Sequence, residues 1–69
     1  MQLTEAIEIY NIPNPGGRFW NATRSNYCES VKVFLERDDD YWINVEGLGK
    51  KTLETIRNVR KAIIAAQAN

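Results

Sequence analysis

The stretch Val45-Glu46-Gly47-Leu48-Gly49-Lys50-Lys51-Thr52-Leu53-Glu54-Thr55-Ile56 decides the fold, because it joins two helix-forming segments through a glycine hairpin that opens onto a lysine-bearing helix start. Gly47 and Gly49 suit the positive-φ or crowded backbone positions of a short turn between helices, and Leu48 between them is placed to point inward and pin the turn. The backbone N–H groups from about Gly49 to Lys51 then stand unpaired at a helix N-terminus, where aligned peptide dipoles favour an anion. Lys50, Lys51 and the Thr52 hydroxyl add charge and a donor at the same place. The pattern resembles a helix-hairpin-helix, a motif that holds nucleic-acid backbones without reading sequence. It also fits an ordinary αα-turn whose glycines serve geometry alone and whose lysines are solvated.

Outward from the hairpin, the spacing predicts an all-α domain. A last helix over about Lys50 to Ala66 presents Leu53, Ile56, Val59 and Ile63 to the core, and a short helix over Asp39 to Val45 turns Tyr41, Trp42 and Val45 inward. The run Asp38-Asp39-Asp40 lacks the alternating ligands and glycine of a calcium loop, and reads instead as an acidic cap for that short helix. Before it, a helix is expected from about Arg24 to Arg37, capped by Thr23 or Ser25, with Cys28, Val31, Phe34 and Leu35 at helical spacing and Cys28 half core, half surface. Asn11-Ile12-Pro13-Asn14-Pro15-Gly16-Gly17 must be a loop. It divides an N-terminal arm, residues 1–18, from a domain over 19–69; within the arm Leu3, Ile7 and Tyr10 favour a short helix. Phe19 and Trp20 are expected to anchor the loop to the core, the alternative being an exposed pair that stacks on bases.

Thr23-Arg24-Ser25-Asn26-Tyr27-Cys28, with Leu48-Gly49-Lys50-Lys51-Thr52 following it, resembles the C-terminal domain of the bacterial RNA polymerase alpha subunit, a SAM-like helical domain. The resemblance covers about Phe19 to Ile64. In that family an Arg-Ser-x-Asn-Cys run and a Leu-Gly-Lys-Lys-Ser run open two helices that together grip the DNA minor groove. The resemblance implies that Arg24 enters the minor groove, that Cys28 lies beside the backbone, that Gly49 and Lys51 make hairpin contacts, and that Thr52 takes the place of the serine. Tyr27 stands where the family has asparagine, with Asn26 next to it, and Thr55 stands where the family has glutamate. The spacer between Cys28 and Leu48 is shorter than the family's. The implied interface comprises Arg24, Asn26, Tyr27, Cys28, Gly47, Gly49, Lys50, Lys51, Thr52 and Thr55.

Composition bounds the function. A chain of 69 residues supports one core and leaves little room for a deep catalytic pocket. Cys28 is the single cysteine and there is no histidine, so neither a disulfide, a metal framework nor a thiol nucleophile with a base partner is expected. No cofactor or small-molecule substrate is implied. No apolar run approaches the ~18 residues of a membrane span, and no secretory signal is visible, so the expected location is the cytoplasm, associated with the nucleoid. Net charge is zero but unevenly spread: residues 50–69 carry five bases (Lys50, Lys51, Arg57, Arg60, Lys61) against Glu54, and residues 36–46 carry five acids (Glu36, Asp38, Asp39, Asp40, Glu46) against Arg37.

The function expected is non-catalytic binding of double-stranded DNA, in transcription. Backbone amides and Thr52 hold phosphates, Lys50 or Lys51 neutralises them, and Arg24 enters an A·T-rich minor groove. Few charges engage, so affinity is expected near the non-specific range of about 10⁻⁴ to 10⁻⁶ M. The alternative is a freestanding interaction module, suggested by the initial methionine and an end just past the last helix. Such a module would contact RNA polymerase, sigma factor or an activator through Glu36 to Asp40.

Overall fold

Residues 1–68 are described by the structure, a computed structural model. Among them the chain forms five helices: α1 (Leu3–Ile9), α2 (Gly17–Ser25), α3 (Val31–Glu36), α4 (Asp39–Ile43) and α5 (Lys50–Ala68). Among the described residues there is no strand, only an antiparallel bridge between Gln2 and Ser30. Two backbone bonds frame it, from Leu3 N–H to Glu29 O at 2.7 Å and from Val31 N–H to Met1 O at 2.9 Å. The bridge ties the chain's first residues to the start of α3. Helices α2 and α4 pack on α5, and α1 packs on α3. The radius of gyration, 11.1 Å, matches the roughly 11 Å expected of a packed chain this long. The architecture is the compact all-α one that the periodicity predicts.

Leu3, Ala6 and Ile7 of α1 lie in the same core as Phe19, Phe34, Trp42 and Ile63. In place of an arm set apart from residues 19–69, α1 is therefore a wall of one shared core. The loop is shorter than expected, since α2 already begins at Gly17. Phe19 is fully buried and Trp20 half-buried, in edge-to-face contact at 5.0 Å, which makes the pair a core anchor.

The single helix expected over Arg24 to Arg37 does not form. Helix α2 ends at Ser25, and Thr23, expected as a cap, sits inside it with its hydroxyl donating to Trp20 O at 3.1 Å. The stop is a Schellman motif: Tyr27 N–H donates to Arg24 O at 3.2 Å, Cys28 N–H donates to Thr23 O at 2.8 Å, and Tyr27 takes φ 59°. Helix α1 ends the same way around Asn11 at φ 56°, with Asn11 N–H on Glu8 O and Ile12 N–H on Ile7 O. Asparagine suits the left-handed position; tyrosine there is uncommon. The new helix α3 starts from Ser30, whose Oγ accepts from Val33 N–H at 3.2 Å. Cys28 lies in the connection, wholly buried rather than half exposed.

Asp38 caps α4 as the acidic run predicts, its carboxylate accepting from Tyr41 N–H at 3.0 Å. The helix stops at Ile43 instead of Val45; Trp42 is fully buried, and Tyr41 and Val45 are half-buried. Helix α5 buries Thr52, Ile56, Val59 and Ile63 and leaves Leu53, expected in the core, half-buried. An aromatic row spans the interior, Phe19 to Phe34 at 5.8 Å and Phe34 to Trp42 at 6.4 Å between ring centroids. Trp42 Nε1 is buried without a hydrogen-bond partner among the described residues. Phe34→Ala is expected to cost about 3–5 kcal/mol, comparable with the whole stability of so small a domain, and to leave the chain largely unfolded by circular dichroism. Trp42→Phe keeps the ring packing and removes the orphaned N–H, so urea unfolding should show a loss smaller than that of Phe34→Ala.

Candidate nucleic-acid interface

The connection from α4 to α5 folds locally. Val45 N–H donates to Trp42 O at 3.2 Å and Leu48 N–H to Val45 O at 3.4 Å, while Gly47 takes φ 81°, a conformation that a side chain would strain. Leu48 packs against the core, the inward pin expected of it. Leu53 N–H bonds to Gly49 O at 3.0 Å, so Gly49 is the cap residue of α5. Unlike Gly47, Gly49 has an ordinary φ, and no atom lies within 4 Å of where its Cβ would stand. The fold does not need glycine there. Its consequence is that no side chain closes the N–H groups of Lys50, Lys51 and Thr52.

A second helix start is open in the same way. Gly16 caps α2 at φ 92° without a side chain, held by its N–H bond to Asn14 Oδ1 at 3.0 Å, an oxygen that also accepts from Trp20 Nε1 at 3.2 Å. Residues Pro15 to Phe19 at this start and Lys51, Thr52 and Thr55 at the start of α5 line one depression. The adjoining groove is lined by Arg18, Asn21, Ala22 and Ser25 along one face of α2 and by residues 45–49, Lys51 and Thr52 opposite. Thr52 belongs to both. It is only 9% exposed, and its hydroxyl has no hydrogen-bond partner among the described residues.

The residues singled out from sequence divide. Gly47, Gly49, Lys51 and Thr52 come together in the groove, and Lys50 stands exposed at the same helix start. Thr55 lines the depression, but its hydroxyl is engaged with Lys51 O at 2.9 Å. Arg24 is not at a helix start; it lies in the last turn of α2, beside Leu3, Thr4, Trp20 and Glu29 on the side facing α1. Asn26 touches the groove, yet its side chain is used structurally, donating to Ala22 O at 2.8 Å and accepting from Tyr41 Oη at 2.7 Å. Tyr27 projects into solvent at 84% exposure. Cys28 is sealed from any ligand, and burial pushes its thiol pKa up against the opposing pull of the Arg37 guanidinium.

Sequence reading missed Arg18 and Asn21. They sit at i and i+3 of a helix that starts at Gly17, where the turn residues Pro15-Gly16-Gly17 predict loop. The groove also holds Glu46, a carboxylate that opposes an anion. Two bases of α5 are engaged elsewhere: Arg57 pairs with Asp39 at 3.2 Å, and Arg60 donates to Leu35 O at 3.2 Å. The Arg57 Nε approach is an ion pair rather than an aligned hydrogen bond, and both side chains are about half exposed, so its net stabilisation is at most about 1 kcal/mol.

No protein-family model, curated protein or solved structure matches the chain. Among the described residues no helix is long and apolar enough to cross a membrane, and no group of three or more histidine, cysteine or acidic side chains gathers to hold a metal.

Tyr41 braces the groove, its hydroxyl on Asn26 of α2 and its ring 4.4 Å from the Arg37 guanidinium carbon. Tyr41→Phe leaves the Asn26 oxygen unpaired, and urea denaturation is expected to show a loss of about 1 kcal/mol. Cys28 gives a pH signature. Its pKa is raised in the fold, so the folded state keeps a proton that the unfolded chain releases. Stability therefore falls as pH rises through the thiol's ordinary alkaline range and is unaffected by this group at neutral pH. Cys28→Ala should remove that part of the alkaline slope.

Proposed function

We propose that the protein binds double-stranded DNA without catalysis, holding the phosphate backbone with the helix-hairpin-helix formed by α4, residues 44–49 and α5. The observation that carries this reading is the pairing of two glycine-capped helix starts on adjoining depressions that share Arg18, Lys51 and Thr52, the Thr52 residue being 9% exposed with no side-chain hydrogen bond among the described residues. Helices α3 and α4 close their starts with Ser30 and Asp38. Helices α2 and α5 leave theirs open on the same side, which favours an anion there.

In this reading the free N–H groups of Lys50 to Thr52 and the Thr52 hydroxyl hold one phosphate, and the start of α2 holds another. Lys50 and Lys51 neutralise charge. Arg18, at the edge of both depressions, takes the part that the resemblance gives to Arg24, reaching into the minor groove, with Asn21 one turn along as a donor to the duplex edge. Glu46 limits affinity by repulsion. The role is consistent with a transcription module resembling the polymerase alpha C-terminal domain.

A ¹⁵N chemical-shift titration with short A·T-rich and G·C-rich duplexes at two salt concentrations tests it. Shifts are expected over Gly17 to Asn21 and Gly47 to Thr52, larger for A·T and weakened by salt; an unchanged spectrum at millimolar duplex and low salt overturns the reading. Arg18→Ala should weaken binding about tenfold, against little change for Arg24→Ala. Gly49→Asp separates stability from function: it caps α5, raising stability by a few tenths of a kcal/mol, and places a carboxylate where the phosphate must sit, abolishing binding. Glu46→Gln should tighten binding.

A further inference from the structure

Tyr27 is held in a conformation that disfavours it and packs on nothing that repays the strain. Its φ of 59° lies in the left-handed region, where a side chain with a Cβ is crowded and glycine is the residue of least strain. The ring is 84% exposed, and its hydroxyl makes no hydrogen bond among the described residues. Asn11 shows the economical solution at the matching end of α1. At Tyr27 the chain instead presents a rigid aromatic at the end of α2, directly after Ser25 and Asn26, which line the groove.

We propose that Tyr27 is a nucleic-acid contact, extending the groove beyond the end of α2 by laying its ring on a deoxyribose and donating its hydroxyl to a phosphate oxygen. This rests on the DNA-binding reading above. The Schellman turn serves the contact by setting the direction of the side chain: its two backbone bonds fix the Tyr27 backbone, so the ring is preorganised with only its own two torsions free. Tyrosine hydroxyls are regular partners of phosphate and sugar. The rise along α2 from Arg18 to Tyr27 is about 13 Å, so a duplex whose axis runs along the helix meets Tyr27 roughly four base pairs beyond Arg18. The strain is thereby tied to function.

The test measures thermal midpoint and duplex affinity together for the wild-type chain, Tyr27→Gly, Tyr27→Asn and Tyr27→Phe. Glycine and asparagine relieve the backbone, so the Tyr27→Gly midpoint should rise by about 4 °C or more, while affinity for the same short duplex falls about fivefold in both variants. Tyr27→Phe should keep the wild-type midpoint and bind between wild type and Tyr27→Gly. A Tyr27→Gly variant that binds like wild type overturns the proposal, and so does one that is no more stable than wild type. The wild-type titration separates the two readings: shifts at Gly17 to Asn21 and Gly47 to Thr52 with unaltered Tyr27→Gly affinity sink only the tyrosine contact, whereas their absence sinks both.

Discussion

Burial of the aromatic row Phe19, Phe34 and Trp42 is the constraint on which the rest of the molecule depends. Helices of five and six residues, such as α4 and α3, do not hold themselves together in water, because a helix that short has scarcely repaid its nucleation. Each exists here because one large ring is taken fully from solvent, Phe34 for α3 and Trp42 for α4. The same row sets where α2 and α4 lie on α5, and hence the distance between the two helix starts that frame the groove. The groove is thus a by-product of core packing at one end of the molecule.

The helix starts are capped unevenly. Ser30 and Asp38 each satisfy a backbone N–H at a helix start, a gain of about 1 kcal/mol apiece. At Gly16 and Gly49 part of that gain, a few tenths of a kcal/mol between glycine and a capping side chain, is forgone. For Gly16 the left-handed backbone is a sufficient reason. For Gly49 it is not, since an ordinary φ and open space would admit a serine or aspartate. An open helix start that the fold could close is the kind of local inconsistency that marks a site rather than a scaffold.

Charge follows the same division. Zero net charge conceals two populations of bases: Arg57 and Arg60 brace α5 against α4 and the end of α3, and Arg18, Lys50 and Lys51 are left at the open helix starts. The acidic run is likewise partly internal, with Asp38 capping α4 and Asp39 paired to Arg57. The segregation visible in the sequence therefore overstates the molecule's polarity, and what matters is which charges the fold leaves unengaged.

Local patterns carried much of the structure. Residues 45–56 alone determined a glycine turn with Leu48 inward and a helix opening at Lys50, because glycine chemistry and 3.6-residue periodicity act over a few neighbours, but not that Gly47 takes the positive φ and Gly49 stands uncrowded at an ordinary one. Asp38 as a cap and Ile56, Val59 and Ile63 as a buried stripe were legible for the same reason. The break after Ser25 was not. No glycine or proline marks it, and it rests on Tyr27 adopting a conformation that its own preferences oppose, imposed by the need to turn Val31 and Phe34 back into the core. That break moved Arg24 from a helix start to a helix end and hid Cys28. Tertiary structure likewise decided that Thr52 rather than Leu53 faces inward, and that Gly17 begins a helix, bringing Arg18 and Asn21 across from the hairpin. Sequence by itself settled what each short segment prefers; only packing settled which segments meet, because burial of shared apolar surface outweighs any single residue's local preference.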